Sequence, residues 1–209
     1  MEIKYQLLSL LLVLGTSQAT EQEPDVPDVY QKPKFCGQLD CPIYRLVKQY
    51  DKFEHRDYEA TRWVRTPLEN DFFGLGMVKS FRRLYKYITG SNAEEMKINM
   101  TVPVVIYKPR NQPPAGNSTM SFFVPHEVQD PPQPTDPDVY LSDSPAKSVY
   151  VRSFGGYALD SAYSKEAEVL AEELRALGLE FNDSFYLRSG YNDPFTVYDR
   201  HNEVWFVAK

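Results

Sequence analysis

The chain has 209 residues and a net charge of −6 at pH 7, from 23 basic and 29 acidic side chains. That balance excludes a general affinity for nucleic acid or anionic membrane, since both demand a cationic surface. Any anionic ligand must find a local basic patch, while 42% hydrophobic and 14% aromatic residues suffice to build a core.

The first 19 residues read as a secretory signal peptide. Lys4 precedes an apolar run from Leu7 to Leu14, and Ser17 and Ala19 are the small residues of a cleavage site. The run is far shorter than the roughly 20 residues a bilayer span needs, and no later stretch approaches that length, so no membrane span is expected. A secreted, extracellular protein is expected. Residues 20–34, rich in Pro, Asp, Glu and Gln, have little to bury and read as an extended acidic tail. A single domain is expected over 35–209.

Cys36 and Cys41 fall close together in FCGQLDCP. In an oxidising compartment a small disulfide loop is the expected pairing, because two thiols with no histidine nearby make an incomplete metal shell. The sequons at Asn99, Asn117 and Asn182 fit the same compartment as glycosylation sites.

Tyr44 to Tyr50 and Phe53 to Thr66, the latter FEHRDYEATRWVRT, read as strands. Asp71 opens a helix in which Met77, Val78, Phe81, Leu84, Tyr85 and Ile88 recur at helical spacing and Gly90 closes the element. Lys79, Arg82, Arg83 and Lys86 lie on the other side, a solvated basic face or an anion-binding one.

Residues 96–104, MKINMTVPV, alternate between apolar and polar positions. This predicts a strand from Met96 to Tyr107 with Met96, Ile98 and Met100 buried against the helices, and Asn99 and Thr101 outward. A proline-rich loop through Asn117 leads to a strand at Thr119 to Pro125. The connector HEVQDPPQPTDPD cannot be regular structure because its prolines fix φ and remove donors.

The second half repeats the order. Strands are expected at Val139 to Leu141 and Ser148 to Phe154, then a helix from Ser161 to Leu177 with Asp160 or Ser161 as N-cap and Gly178 as stop, then strands at Phe181 to Ser189 and Glu203 to Ala208. Two strand-strand-helix-strand-strand halves imply an α+β fold, a distorted antiparallel β-barrel with two packed helices.

No catalytic constellation emerges. The chain lacks a phosphate-cradling glycine loop, HExxH and Gly-x-Ser-x-Gly, and His55, His126 and His201 are scattered. A non-enzyme is expected. Phe72, Phe73, Met77, Phe81, Tyr85, Met96 and Met100 suit a core, or apolar walls beside a cationic rim for a flat ligand carrying carboxylates.

FEHRDYEATRWVRT, YKYITGSN, MKINMTVPV, SFFVP, VYVRSFGGYA and GYNDPFTVYDRHNEVWF occur in the order seen in the SOUL/haem-binding protein family, which the chain resembles from about Phe35 onward. The resemblance implies a single α+β barrel domain that binds haem and related tetrapyrroles in a hydrophobic surface cleft without catalysis. Haem or another tetrapyrrole is thus the expected ligand, with no metal bound directly by the protein. Lys86 matches a basic family position and Phe81 an apolar one on the first helix, while Phe195 matches an apolar position on the last loop. Lys79 and Arg82 add cations for propionates. The place of a histidine proposed as axial ligand in some members is held here by Asp57, with His55 two residues back on the same strand face. A basic residue that some relatives carry in the last loop is here Thr196. A secreted carrier or scavenger is the favoured reading; an extracellular interaction module that keeps the fold without haem is the alternative.

Overall fold

The computed structural model describes residues 32–69, 75–110, 118–193 and 195–209. The expected signal peptide, most of the tail, the helix start at Asp71, Phe72, Phe73 and the sequon residue Asn117 lie outside those residues.

Among the described residues, nine antiparallel strands form one sheet. They are β1 (Tyr44–Gln49), β2 (Glu54–Tyr58), β3 (Thr61–Pro67), β4 (Val104–Pro109), β5 (Thr119–Phe123), β6 (Tyr140–Ser144), β7 (Lys147–Phe154), β8 (Phe185–Gly190) and β9 (Asn202–Val207). The helices are α1 (Leu75–Ile88) and α2 (Asp160–Ala176). The strand order is β1-β2-β7-β9-β8-β4-β5-β3-β6. The expected α+β fold with an internal repeat is therefore present. β2-β3-α1-β4-β5 corresponds to β6-β7-α2-β8-β9, and the halves meet where β4 pairs with β8.

The first strand of each half is exchanged: β2 pairs with β7, and β6 pairs with β3. The exchange forces the curl. FEHRDYEATRWVRT is not one strand but two, broken at the exposed Glu59 and Ala60, and its two parts stand second and eighth in the sheet. In a flat sheet six inter-strand steps would span about 29 Å, whereas the link from Tyr58 to Thr61 reaches only about 10 Å. Only a sheet rolled toward a barrel brings these strands together. The link from Ser144 to Lys147 imposes the same condition on β6 and β7, ninth and third in the order.

One face of the sheet carries the helices. Leu84, Tyr87 and Ile88 of α1 pack on Val64, Ile106, Met120 and Phe122, and Leu170 and Leu174 of α2 on Tyr150, Val204 and Phe206. The other face lines the barrel interior with Tyr58, Trp63, Val105, Phe123, Val149, Val151 and Trp205.

Three local expectations are corrected. The strand expected from Met96 begins only at Val104, after a cis Val102–Pro103 bond; before it the chain makes isolated bridges, Lys97 to Thr89 and Thr101 to Asp40. Ile98 is buried and Asn99 exposed as expected, but Met96 and Met100 are only half-buried. Thr101 is inside, its hydroxyl donating to the Phe123 carbonyl at 2.7 Å, because the irregular backbone breaks the two-residue alternation there.

The buried stripe of α1 is also rotated from the expected one. It consists of Gly76, Ser80, Leu84, Tyr87 and Ile88, which leaves Met77, Val78 and Tyr85 exposed. Small residues let the helix sit close. A Cβ on Gly76 would lie 2.0 Å from the Glu69 carbonyl oxygen, and Ser80 Oγ accepts from Glu69 N and donates to Pro67 O. In α2, neither Asp160 nor Ser161 is the N-cap. Leu159 holds that position, and the Asp160 carboxylate instead accepts from Arg188 Nη1 at 2.7 Å. Gly178 ends the helix in the left-handed conformation, φ +67°, as its placement predicts.

Candidate functional site

The outward face of α1 carries apolar and cationic side chains together. Val78 and Tyr85 are 45% and 48% exposed. Half-buried Phe81 stacks on Tyr85 with ring centroids 6.0 Å apart and meets Phe122 edge-on at 5.1 Å. Phe81 is thus rooted in the core while its neighbours face solvent.

The four expected cations divide by partner. Arg83 is committed: it donates to Thr66 and Glu69 and lies 3.4 Å from Asp138. Lys79 lies 3.5 Å from Glu69. Arg82 and Lys86 make no ion pair among the described residues, and Lys86 lies in the last turn beside Tyr85. A cation near a helix C-terminus is favoured by the dipole, and Lys86 occupies that position on α1.

A second apolar surface lies on the loop between β8 and β9. Phe195, Val197 and Tyr198 are 89%, 71% and 83% exposed, and Tyr157 and Leu159 on the β7–α2 connection are also open. The loop has internal structure. Asp193 Oδ1 accepts from the backbone N–H of Phe195 and of Thr196, Thr196 Oγ1 donates to Asp193 Oδ2, and these bonds pull the Asp193 carboxyl below its ordinary range. Arg200 Nη1 donates to the carbonyls of Asp193 and Thr196 while its guanidinium lies 4.8 Å from the Tyr157 ring centre. That clamp joins the two connections.

Topology places α1 and this loop at one end of the barrel. Ser80 meets Pro67 and Arg83 meets Thr66, so α1 runs back along β3 from its C-terminal end. Its last turn therefore points toward the end of the sheet where Trp63 pairs with Phe123, β4 begins, and Val104 faces Gly190. The β8–β9 loop leaves from Gly190. The family resemblance names Phe81, Lys86 and Phe195; it does not name Tyr157, Val197 and Tyr198, although FGGYALD and PFTVY place apolar residues in segments with no buried periodicity.

His55 belongs elsewhere. It lies on β2, which among the described residues pairs with β1 and β7, whereas α1 packs on β3 and β5. Its Nε2 is 2.9 Å from Ser148 Oγ, whose hydroxyl also bonds Asp57, and its ring lies 4.8 Å from that of Tyr150. Burial lowers its pKa, with Asp57 opposing and Arg45 assisting. A neutral imidazole is thereby favoured.

Cys36 and Cys41 form a disulfide whose loop packs on Val102 and Tyr191, and Phe35 stacks on His201 at 4.0 Å. This plug closes one end of the barrel interior. Asn182 Oδ1 accepts from the N–H and hydroxyl of Ser184. Among the described residues no three His, Cys, Asp or Glu side chains converge to hold a metal ion, and no helix is long and apolar enough to cross a membrane.

The described residues thus form an open α+β barrel with apolar, cation-edged surfaces on α1 and the last loop. The model of the SOUL heme-binding protein family matches residues 39–207, and the chain belongs to that family. It is 37% identical to human (Homo sapiens) heme-binding protein 2 over 77% of this chain and 80% of the relative, and 35% identical to the Mus musculus protein of that name over 82% and 87%. Heme-binding protein 1 of Xenopus tropicalis is 34% identical over 78% and 89%. Among solved structures, the EcmrR C-terminal domain shares the fold with a TM-score of 0.53 at 9% identity, covering 76% of this chain and 97% of that one. A hydrolase from Listeria innocua does so with 0.52 at 12% identity, covering 78% and 94%.

Proposed function

We propose that this chain is a secreted, non-catalytic haem- or tetrapyrrole-binding protein that acts as a carrier or scavenger. The observation that carries the reading is the exposed apolar face of α1, Val78, Phe81 and Tyr85, beside Arg82 and Lys86, at the barrel end that also presents Phe195. A macrocycle lies flat against apolar and aromatic side chains, and its propionates meet the two cations at the edge. The residues present fit such a ligand without a protein side chain on the iron, since His55 and Asp57 are on a strand that α1 does not pack against. The bound group supplies the chemistry of its iron; the chain supplies area, orientation and partial exclusion of water. Secretion rests on the leader at 1–19, and the disulfide between Cys36 and Cys41 is consistent with an oxidising compartment.

Titration of the purified protein with haemin, followed by Soret absorbance, tests the reading. A saturable shift at one-to-one stoichiometry is expected. No saturable shift overturns it and favours an interaction module using the same exposed apolar loops.

A further inference from the structure

The barrel interior contains a cavity distinct from the α1 surface. It has a volume of about 220 Å³ and is lined by Trp63, Arg65, Tyr107, Lys147, Leu187 and Trp205, among others. Alternation along β3 puts Arg65 on the same face as Trp63, opposite the face that meets α1. Lys147, at the start of β7, faces the same space from the other half of the molecule.

The two cations stand in contrast to the third in the interior. Arg56 is buried at the plugged end, where Glu203 and Glu54 both bond its guanidinium. Arg65 and Lys147 make no ion pair or side-chain hydrogen bond among the described residues, and Arg65 Nε is buried with no acceptor. Burial lowers the pKa of both, and Arg65 lowers that of Lys147 further. Withdrawn cations without a counter-charge are costly unless something anionic joins them.

The walls define the rest of the ligand. Both indole N–H groups are already used, Trp63 Nε1 by Thr61 Oγ1 at 2.8 Å and Trp205 Nε1 by Glu203 Oε2 at 2.7 Å. What the tryptophans offer the cavity is therefore aromatic surface, and the two cations offer it positive charge, Arg65 Nε being buried without an acceptor. The volume falls below the roughly 300–1,000 Å³ of drug-sized sites, which suits one small ring rather than a macrocycle.

We propose that this cavity is a binding site for a small aromatic carboxylate, its ring between Trp63 and Trp205 and its carboxylate between Arg65 and Lys147. The site stands independently of the haem reading. Trp63 and Trp205 are the chain's two tryptophans, so intrinsic emission reports on the cavity directly.

The test compares phenylpropionate, phenylpropanol and phenylpropylamine by tryptophan fluorescence and calorimetry on the full-length protein. Saturable one-to-one binding of phenylpropionate is expected, about tenfold tighter than the neutral alcohol, with no saturation by the amine. Arg65→Met and Lys147→Met each weaken the carboxylate several-fold and leave the alcohol unchanged, with folding checked by circular dichroism. Equal affinity for all three probes, or carboxylate binding retained in the double variant, overturns the proposal. Should the variants fail to fold, the probe series on the unaltered protein still decides. Haemin affinity is read in parallel: stoichiometric displacement of haemin by phenylpropionate would mean one shared site and would also overturn it.

Discussion

Arg56 Nη1 donates to Glu203 Oε1 at 3.0 Å, with the two side chains 1% and 0% exposed. Tyr191, Trp205 and His201 also bond the Glu203 carboxylate, and Phe35 of the disulfide-closed segment covers this end of the barrel. Burial alone would raise the Glu203 pKa, but Arg56 and the hydrogen bonds from His201 and Tyr191 hold it at about 2, against an ordinary 4.5. The interior is thus a neutralised polar network at one end and a cavity with two unmatched cations at the other.

Acid sensitivity follows from the sign of that shift. A depressed carboxylate pKa contributes stability that is fully present above 4.5 and lost as pH falls toward 2. The loss is on the order of 3 kcal/mol from this one group. Denaturant unfolding at a series of pH values should show it. Glu203→Gln should be destabilised at neutral pH by roughly 3–5 kcal/mol, because Arg56 loses its fully buried counter-charge, and should then lose less on acidification. Parallel pH curves for the two proteins would contradict this origin.

The close seat of α1 predicts a second asymmetry. Gly76→Ala forces a methyl group against the Glu69 backbone and should cost about 1–3 kcal/mol, while Met77→Ala, on the exposed side, should change stability by less than about 0.5 kcal/mol. Thermal unfolding of the two variants checks it. Equal effects would mean that the helix buries the Met77 face.

These two residues also show what the sequence could reveal. Helical spacing located α1 and α2, and Gly90 and Gly178 marked their ends, because capping and periodicity are local. Apolar spacing points the Met77, Val78 and Tyr85 side of α1 inward, whereas in the fold Gly76 and Ser80 are inward through their smallness and Val78 and Tyr85 are left for solvent or a ligand. The exchange of β2 and β6 was hidden for a different reason: pairing partners far apart in sequence leave no local trace. The same holds for Arg65 and Lys147, which reach one cavity from opposite halves. The signal available was the parity of Arg65 with Trp63 in TRWVRT. Phe81, Lys86 and Phe195 came through the family motifs, not through any physical pattern that could place them at one end of the barrel.

The stretch MKINMTVPV supplies a third contrast. Thr101→Val removes the donor to the Phe123 carbonyl and leaves a buried acceptor unpaired, which should cost about 1–3 kcal/mol. Asn99→Gln changes an exposed side chain and should be near neutral. Equilibrium unfolding separates the two, and a neutral Thr101→Val would place the hydroxyl in solvent.

Haemin affinity of a small set of variants tests the central claim most directly. An exposed cation contributes roughly 0.2–1 kcal/mol, so Lys86→Ala should weaken binding only a few-fold, while Lys86→Glu adds repulsion and should weaken it more. Phe195→Ala, at an exposed position, should lower affinity without loss of stability, and Phe81→Ala should lower both. His55→Ala should bind haemin as the unaltered protein does, with the same Soret spectrum. Loss of binding in His55→Ala, with the Lys86, Phe81 and Phe195 variants unaffected, would contradict the α1 site and place the ligand on β2.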